Sequence, residues 1–103
     1  MGLAPGTEKE EAMTHPPIRL ALVDDHRMLL GALTEWIRQA ADDIDMVAAV
    51  AAWPDLLSHP AFPVDVVLLD LDLKDNIPVS LKIQTLKSMN VRVVLMSTYS
   101  EPN

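Results

Sequence analysis

Four short apolar runs, each closed by polar residues, alternate along the chain with stretches of helical period. Ile18–Val23 is broken only by Arg19 and stops at the pair Asp24-Asp25. It is too short for a helix, and its nearly unbroken apolarity predicts a strand buried on both faces. From His26 the period changes. Leu29, Leu33, Trp36, Ile37 and Ala40 recur at the spacing of one helix face, which is expected to point inward. An aspartate ahead of that helix is placed to cap its free amides, and Asp42-Asp43 end the pattern.

Ile44–Val50 reads as a second strand, weakened by its alanines. Pro54 and Asp55 suit the first turn of a short helix that Pro60 stops. Residues 64–69 give the strongest strand signal and run straight into Asp70. Residues 78–89 carry Val79, Ile83 and Leu86 at helical spacing, with Asn90 as the stop. Residues 91–96 form a fourth apolar run, expected to be a buried strand, followed by Ser97 and Thr98. The order β-α-β-α-β-α-β predicts an α/β fold: a parallel sheet, right-handed crossovers and helices on both faces. Ligands of such sheets bind beyond the carboxyl ends of the strands, where strand order switches. Asp24, Asp25, Asp70, Ser97 and Thr98 are the polar residues that would meet there.

Composition narrows the partners. At 103 residues the chain holds one domain, and with half its residues hydrophobic a packed core is expected. A net charge of −7 argues against binding nucleic acid by itself, and suits a basic partner surface or a cation held by carboxylates. The absence of cysteine excludes disulfides, thiolate zinc sites and cysteine nucleophiles; a reducing, cytoplasmic setting is compatible and expected. Residues 1–17, with Pro5, Pro16, Pro17 and the run Glu8-Lys9-Glu10-Glu11, read as a disordered tail without the pattern of a secretory signal. No apolar stretch reaches membrane-spanning length.

Three carboxylates brought to one sheet edge repel one another, and a hard divalent cation relieves that repulsion. Mg²⁺ takes oxygen ligands, commonly one or two carboxylates with water and substrate phosphate oxygens. With the charge so balanced, the carboxylate of Asp70 can attack phosphorus and form an acyl phosphate. The Ser97 hydroxyl is placed to hydrogen-bond a phosphoryl oxygen. Such a site works by positioning and charge neutralisation.

The segments LALVDDH, VDVVLLDLDL and VRVVLMSTYSEP resemble the successive strand-end motifs of response-regulator receiver domains, in the flavour of NarL/LuxR-type regulators. The resemblance runs from Ile18 to the last residue, so residues 18–103 are read as a receiver domain. It implies a flavodoxin-like, doubly wound parallel sheet with strand order 2-1-3-4. By position, Asp24 and Asp25 resemble the acidic pair that holds Mg²⁺, and Asp70 the phosphoacceptor. Asp72 falls where the family supplies a backbone carbonyl to the metal, and Ser97 matches the hydroxyl whose movement starts the switch. The implied phosphodonor is a phosphohistidine on a sensor histidine kinase, and DNA is met only through a separate output domain. A receiver modifies itself and is not a turnover enzyme.

The sequence departs from that pattern in two places. The loop after the phosphoacceptor, Leu73-Lys74-Asp75-Asn76, lacks the usual proline and glycine, and Asp72 adds negative charge expected to alter metal affinity or acyl-phosphate lifetime. The family's fourth helix, fifth strand with its phosphate-binding lysine and fifth helix have no counterpart before Asn103; Lys74, Lys82 and Lys87 come too early. The expectation is a fragment of a longer regulator, with an open edge on the fourth strand and a tendency to self-associate, as a dimer.

Other residues draw plainer readings. Asp75 is taken as a solvated loop charge and His26 as a surface residue of the first helical turn. His15 and His59 are likewise assigned to the surface. Trp36 is assigned to the core, Trp53 to packing of the short helix, and Met28, Met46, Met89 and Met96 to packing. Two other functions compete. A pseudo-receiver would keep the fold and act only as an interaction module. Val67-Leu68-Leu69-Asp70-Leu71-Asp72 also resembles the opening motif of haloacid-dehalogenase-type phosphatases, with Asp70 as nucleophile and Asp72 as general acid. That motif normally follows the first strand, whereas here a strand and an acidic pair precede it.

Overall fold

A computed structural model describes residues 16–97. The readings made for residues 1–15, and for Thr98 onward, lie outside the described residues. Four parallel strands, β1 (Ile18–Val23), β2 (Ile44–Val50), β3 (Val66–Asp70) and β4 (Arg92–Met96), form one sheet in the order β2-β1-β3-β4. Three helices connect them: α1 (Arg27–Ala40), α2 (Trp53–Leu57) and α3 (Val79–Ser88). The expected order 2-1-3-4 is thus the observed one. From β1 the chain moves outward to β2, then returns to the other side of β1 as β3, so the switch in strand order lies between β1 and β3.

Alternation along the strands divides the core into two layers. Leu20 and Leu22 of β1 join Met46 of β2 and Leu30 of α1 on one face, with Leu33, Ile37 and Leu68 packed beside them. Ala21 and Val23 point the other way, into a larger layer with Ala48, Val67, Leu69, Trp53, Leu56 and Leu86. β1 is buried from Leu20 to Val23 because it is central and covered on both faces. Between β1 and β2 the register shifts by one residue after Leu20, where Val47 is the extra residue of β2.

The face of α1 is rotated from the expected one. Leu30, Leu33 and Ile37 meet the sheet, whereas Trp36 is 65% exposed and Ala40 is exposed. Two overlapping apolar series run along this helix, and the sheet selects the one containing Leu30. Nor does an aspartate cap the helix: His26 occupies the N-cap position and makes no side-chain capping bond. Of the methionines assigned to packing, Met46 is buried and Met96 partly so, but Met28 and Met89 are exposed. α2 carries proline in its first turn and packs Trp53, as expected, and it also buries Leu56. Past α3, Asn90 takes φ of 63°, the left-handed conformation that asparagine tolerates at a helix end.

β4 is not the buried strand expected. Val94 and Leu95, which face opposite sides, are both substantially exposed, and among the described residues no strand pairs with the outer edge of β4. α1 lies over β1 and β2 and leaves this end of its face of the sheet uncovered. The open edge expected from the sequence is therefore present among the described residues.

Candidate functional site

The carboxyl ends of β1 and β3 lie side by side, so the residues that follow them converge at the switch in strand order. Asp24 comes immediately after β1 and is held there by its own amide, which donates to the carbonyl of Val50 over 3.1 Å. Its side chain is 0% exposed. Oδ1 accepts the amide N–H of His26 at 2.8 Å and stands 3.1 Å from His26 Nδ1. Oδ2 is buried and accepts no hydrogen bond. Asp25 is partly exposed; its Oδ1 is also buried without a hydrogen-bond partner, 3.3 Å from the same ring nitrogen.

Asp70 closes β3 and is fully buried. The amide of Asp72 donates to its Oδ1 at 2.9 Å, while Oδ2 is buried and has no partner. Burial lifts the Asp70 carboxyl above its ordinary pKa, and the negative charges of Asp24 and Asp72 push the same way; the Asp72 amide opposes them. Carboxylate oxygens of Asp24, Asp25 and Asp70 and a ring nitrogen of His26 all lie within 4.8 Å of one another. The arrangement fits a hard cation. Three inward carboxylate oxygens with no donor to satisfy them are costly in a buried site, and a divalent ion supplies the missing positive charge.

Asp72 itself is exposed in the turn after β3. Ser97 directly follows Met96, the register partner of Asp70, and the amide of Leu71 donates to the Met96 carbonyl at 2.9 Å. That brings Ser97, exposed, to the same edge of the sheet as Asp70.

Asp75 is not the solvated loop charge expected from the sequence. Its carboxylate grips the ammonium of Lys82, with Oδ2 at 2.9 Å and Oδ1 at 3.0 Å. Lys82 is only 1% exposed, and its Nζ stands 5.8 Å above the ring centre of Trp53. The ion pair ties the loop after β3 to α3, next to a small recess lined by Asp25, Trp53, Leu73 and Lys74. Sequence reasoning missed this contact because a lone lysine on a helix is normally solvent-facing. The Val79–Ile83–Leu86 spacing held the only hint, since Lys82 lies on the face those residues share. The surface position expected for His26 is the observed one, with its ring 51% exposed, and its Nδ1 faces the acidic pair.

No protein-family model matches this sequence, and no curated protein matches it. Similarity appears in three dimensions. The signal receiver domain of NarL from Mycobacterium tuberculosis superposes with a TM-score of 0.69 at 21% identity, covering 85% of this chain and 72% of that one. The response regulator RcsB from Salmonella typhimurium gives 0.67 at 17% identity over 85% of this chain. The MaeR response regulator, bound to beryllium trifluoride, gives 0.56 at 20% identity over 82% of this chain and 70% of its own. The chain spans less than half of the RcsB chain, 46% of its length. With its four parallel strands in the order 2-1-3-4 and its acidic edge at the switch point, the chain has the flavodoxin-like fold of response-regulator receiver domains.

Proposed function

We propose that this chain is a phosphoacceptor receiver domain of a two-component response regulator, and that Asp70 takes the phosphoryl group. The observation that carries this reading is the buried cluster of Asp24, Asp25 and Asp70 at the switch in strand order, with three carboxylate oxygens lacking any hydrogen-bond donor. Asp24, Asp25 and Asp70 would hold Mg²⁺, with the backbone carbonyl of Asp72 completing the set. When bound there, the ion would supply positive charge to the site and to the phosphoryl oxygens.

In the step itself, an Asp70 carboxylate oxygen forms a bond to phosphorus as the phosphorus–nitrogen bond of a phosphohistidine on the sensor kinase breaks. The departing imidazole takes up a proton. The amide of Asp72 fixes one Asp70 oxygen, leaving the other to react. Ser97 hydrogen-bonds the transferred group and relays its presence to β4. The chain modifies itself and has no catalytic turnover; it works in the cytoplasm and reaches DNA through an output domain of the whole regulator.

Incubation with acetyl phosphate and Mg²⁺, followed by intact mass measurement, tests this. One added phosphoryl group, absent in Asp70→Asn and absent without metal, is the expected result. No addition in any condition would leave a pseudo-receiver that acts by interaction alone. Repeated hydrolysis of a phosphate ester would instead indicate a phosphatase of the haloacid-dehalogenase type using Asp70 and Asp72.

A further inference from the structure

We infer that His26 is a fourth ligand of the acidic site, so that the site takes a borderline transition-metal ion such as Co²⁺ or Zn²⁺ more tightly than Mg²⁺. The inference rests on the metal-holding role proposed above for Asp24, Asp25 and Asp70, and adds a nitrogen donor to it.

Three observations converge on this residue. His26 Nδ1 stands 3.1 Å from Asp24 Oδ1 and 3.3 Å from Asp25 Oδ1, so the ring nitrogen looks at the acidic pair. This donor atom also lies within 4.8 Å of an oxygen of each of the three carboxylates. Ligand atoms about 2.1 Å from a common ion lie about 3 Å apart when adjacent and about 4.2 Å apart when opposite, so this set needs to close by no more than about half an ångström to share one ion. Finally, the buried oxygens Asp24 Oδ2 and Asp70 Oδ2 have no hydrogen-bond partner, so the cluster already lacks a positive centre.

The local backbone explains why the ring points this way. Asp24 Oδ1 accepts the His26 amide, and that tight turn places the N-cap residue of α1 over the carboxylates it follows. Oxygen donors alone favour Mg²⁺ weakly and keep much of its water, whereas imidazole nitrogen favours Co²⁺, Ni²⁺, Cu²⁺ and Zn²⁺. A site with three carboxylates and one imidazole therefore discriminates by metal class, and His26 is the residue that decides it.

Calorimetric titration of the metal-free chain with Co²⁺ and, separately, with Mg²⁺ tests this in wild type, His26→Ala, His26→Gln and Asp70→Asn. Wild type is expected to bind Co²⁺ more tightly than Mg²⁺ and to show a hyperfine-shifted imidazole resonance. Both His26 variants should lose Co²⁺ affinity by at least about tenfold and lose that resonance. Their Mg²⁺ affinity should fall much less than their Co²⁺ affinity, and circular dichroism reports the intact fold. His59, whose Nδ1 accepts the Ala61 amide, is unchanged in these variants, so the difference isolates His26. Equal Co²⁺ binding in wild type and both His26 variants, with Asp70→Asn impaired for both metals, would overturn the nitrogen ligand and leave the carboxylate site standing. Parallel loss of both metals in both His26 variants would also overturn it, making His26 a support for the carboxylates. No binding of either metal by wild type would remove the metal site itself.

Discussion

Asp70 is fully buried beside Asp24, and its raised pKa has a direct consequence for stability. A carboxyl whose folded pKa lies above its unfolded value favours the folded state while protonated. That contribution is present at acid pH and is lost as pH rises through the folded value. Metal-free wild type should therefore lose stability relative to Asp70→Asn as pH climbs out of the ordinary carboxylate range. Urea denaturation across that window checks this: the variant should be the more stable protein at neutral pH, and saturating Mg²⁺ should close the gap. A gap that does not change with pH would mean that Asp70 is not strained by ionisation. Asp72 acts on the same group from outside. Its amide holds Asp70 Oδ1, and its exposed carboxylate adds repulsion, so Asp72→Asn keeps the hydrogen bond and removes only the charge. Mg²⁺ affinity should fall by a few-fold in that variant, roughly what one nearby screened charge supplies; an unchanged affinity in a calorimetric titration would refute the coupling.

At the level of elements, α3 and the loop before it are joined by the Lys82–Asp75 pair, whose two members are not equivalent. Lys82 is buried, its ammonium over the ring of Trp53, whereas Asp75 is partly exposed. Asp75→Asn leaves a buried ammonium without its counter-ion and should cost about 2–3 kcal/mol, below the usual range of about 3–5 kcal/mol because Asp75 reaches solvent. Lys82→Met fills the same space with an apolar chain and leaves Asp75 to water, so it should cost less than about 1 kcal/mol. Denaturation midpoints of the two variants decide the matter, and a larger loss in Lys82→Met would contradict it. The pair also shows where the sequence was opaque. Apolar runs and their closing aspartates were enough to place β1 and β3 and to bring Asp24, Asp25 and Asp70 together, because a strand flanked by breakers has few alternatives. The buried face of α1 was ambiguous, since the series through Trp36 and the series through Leu30 are both apolar and only the sheet chooses. A lysine that serves as core, and a histidine that turns back over the preceding aspartates, depend on three-dimensional neighbours that no spacing records.

For the whole molecule, the sheet is covered unevenly. β1 is enclosed, while β4 exposes Val94 and Leu95 on opposite faces and offers an edge with no strand partner among the described residues. Edges of this kind pair with other chains unless something blocks them. A second copy of the chain is the expected occupant, giving a dimer whose proportion rises with concentration. Val94→Lys places a charge on that surface and should shift the protein to monomer in sedimentation analysis; an unchanged dimer would place the contact elsewhere. On the proposed function, the cluster at the switch point directs phosphorylation to one particular aspartate. Treating the chain with acetyl phosphate and Mg²⁺, reducing with borohydride and sequencing the peptides by mass spectrometry tests it most directly, since an aspartyl phosphate is converted to homoserine where it stood. Homoserine at position 70 alone is the predicted result; homoserine at position 72, or a phosphoryl group carried on a histidine or serine instead, would contradict it.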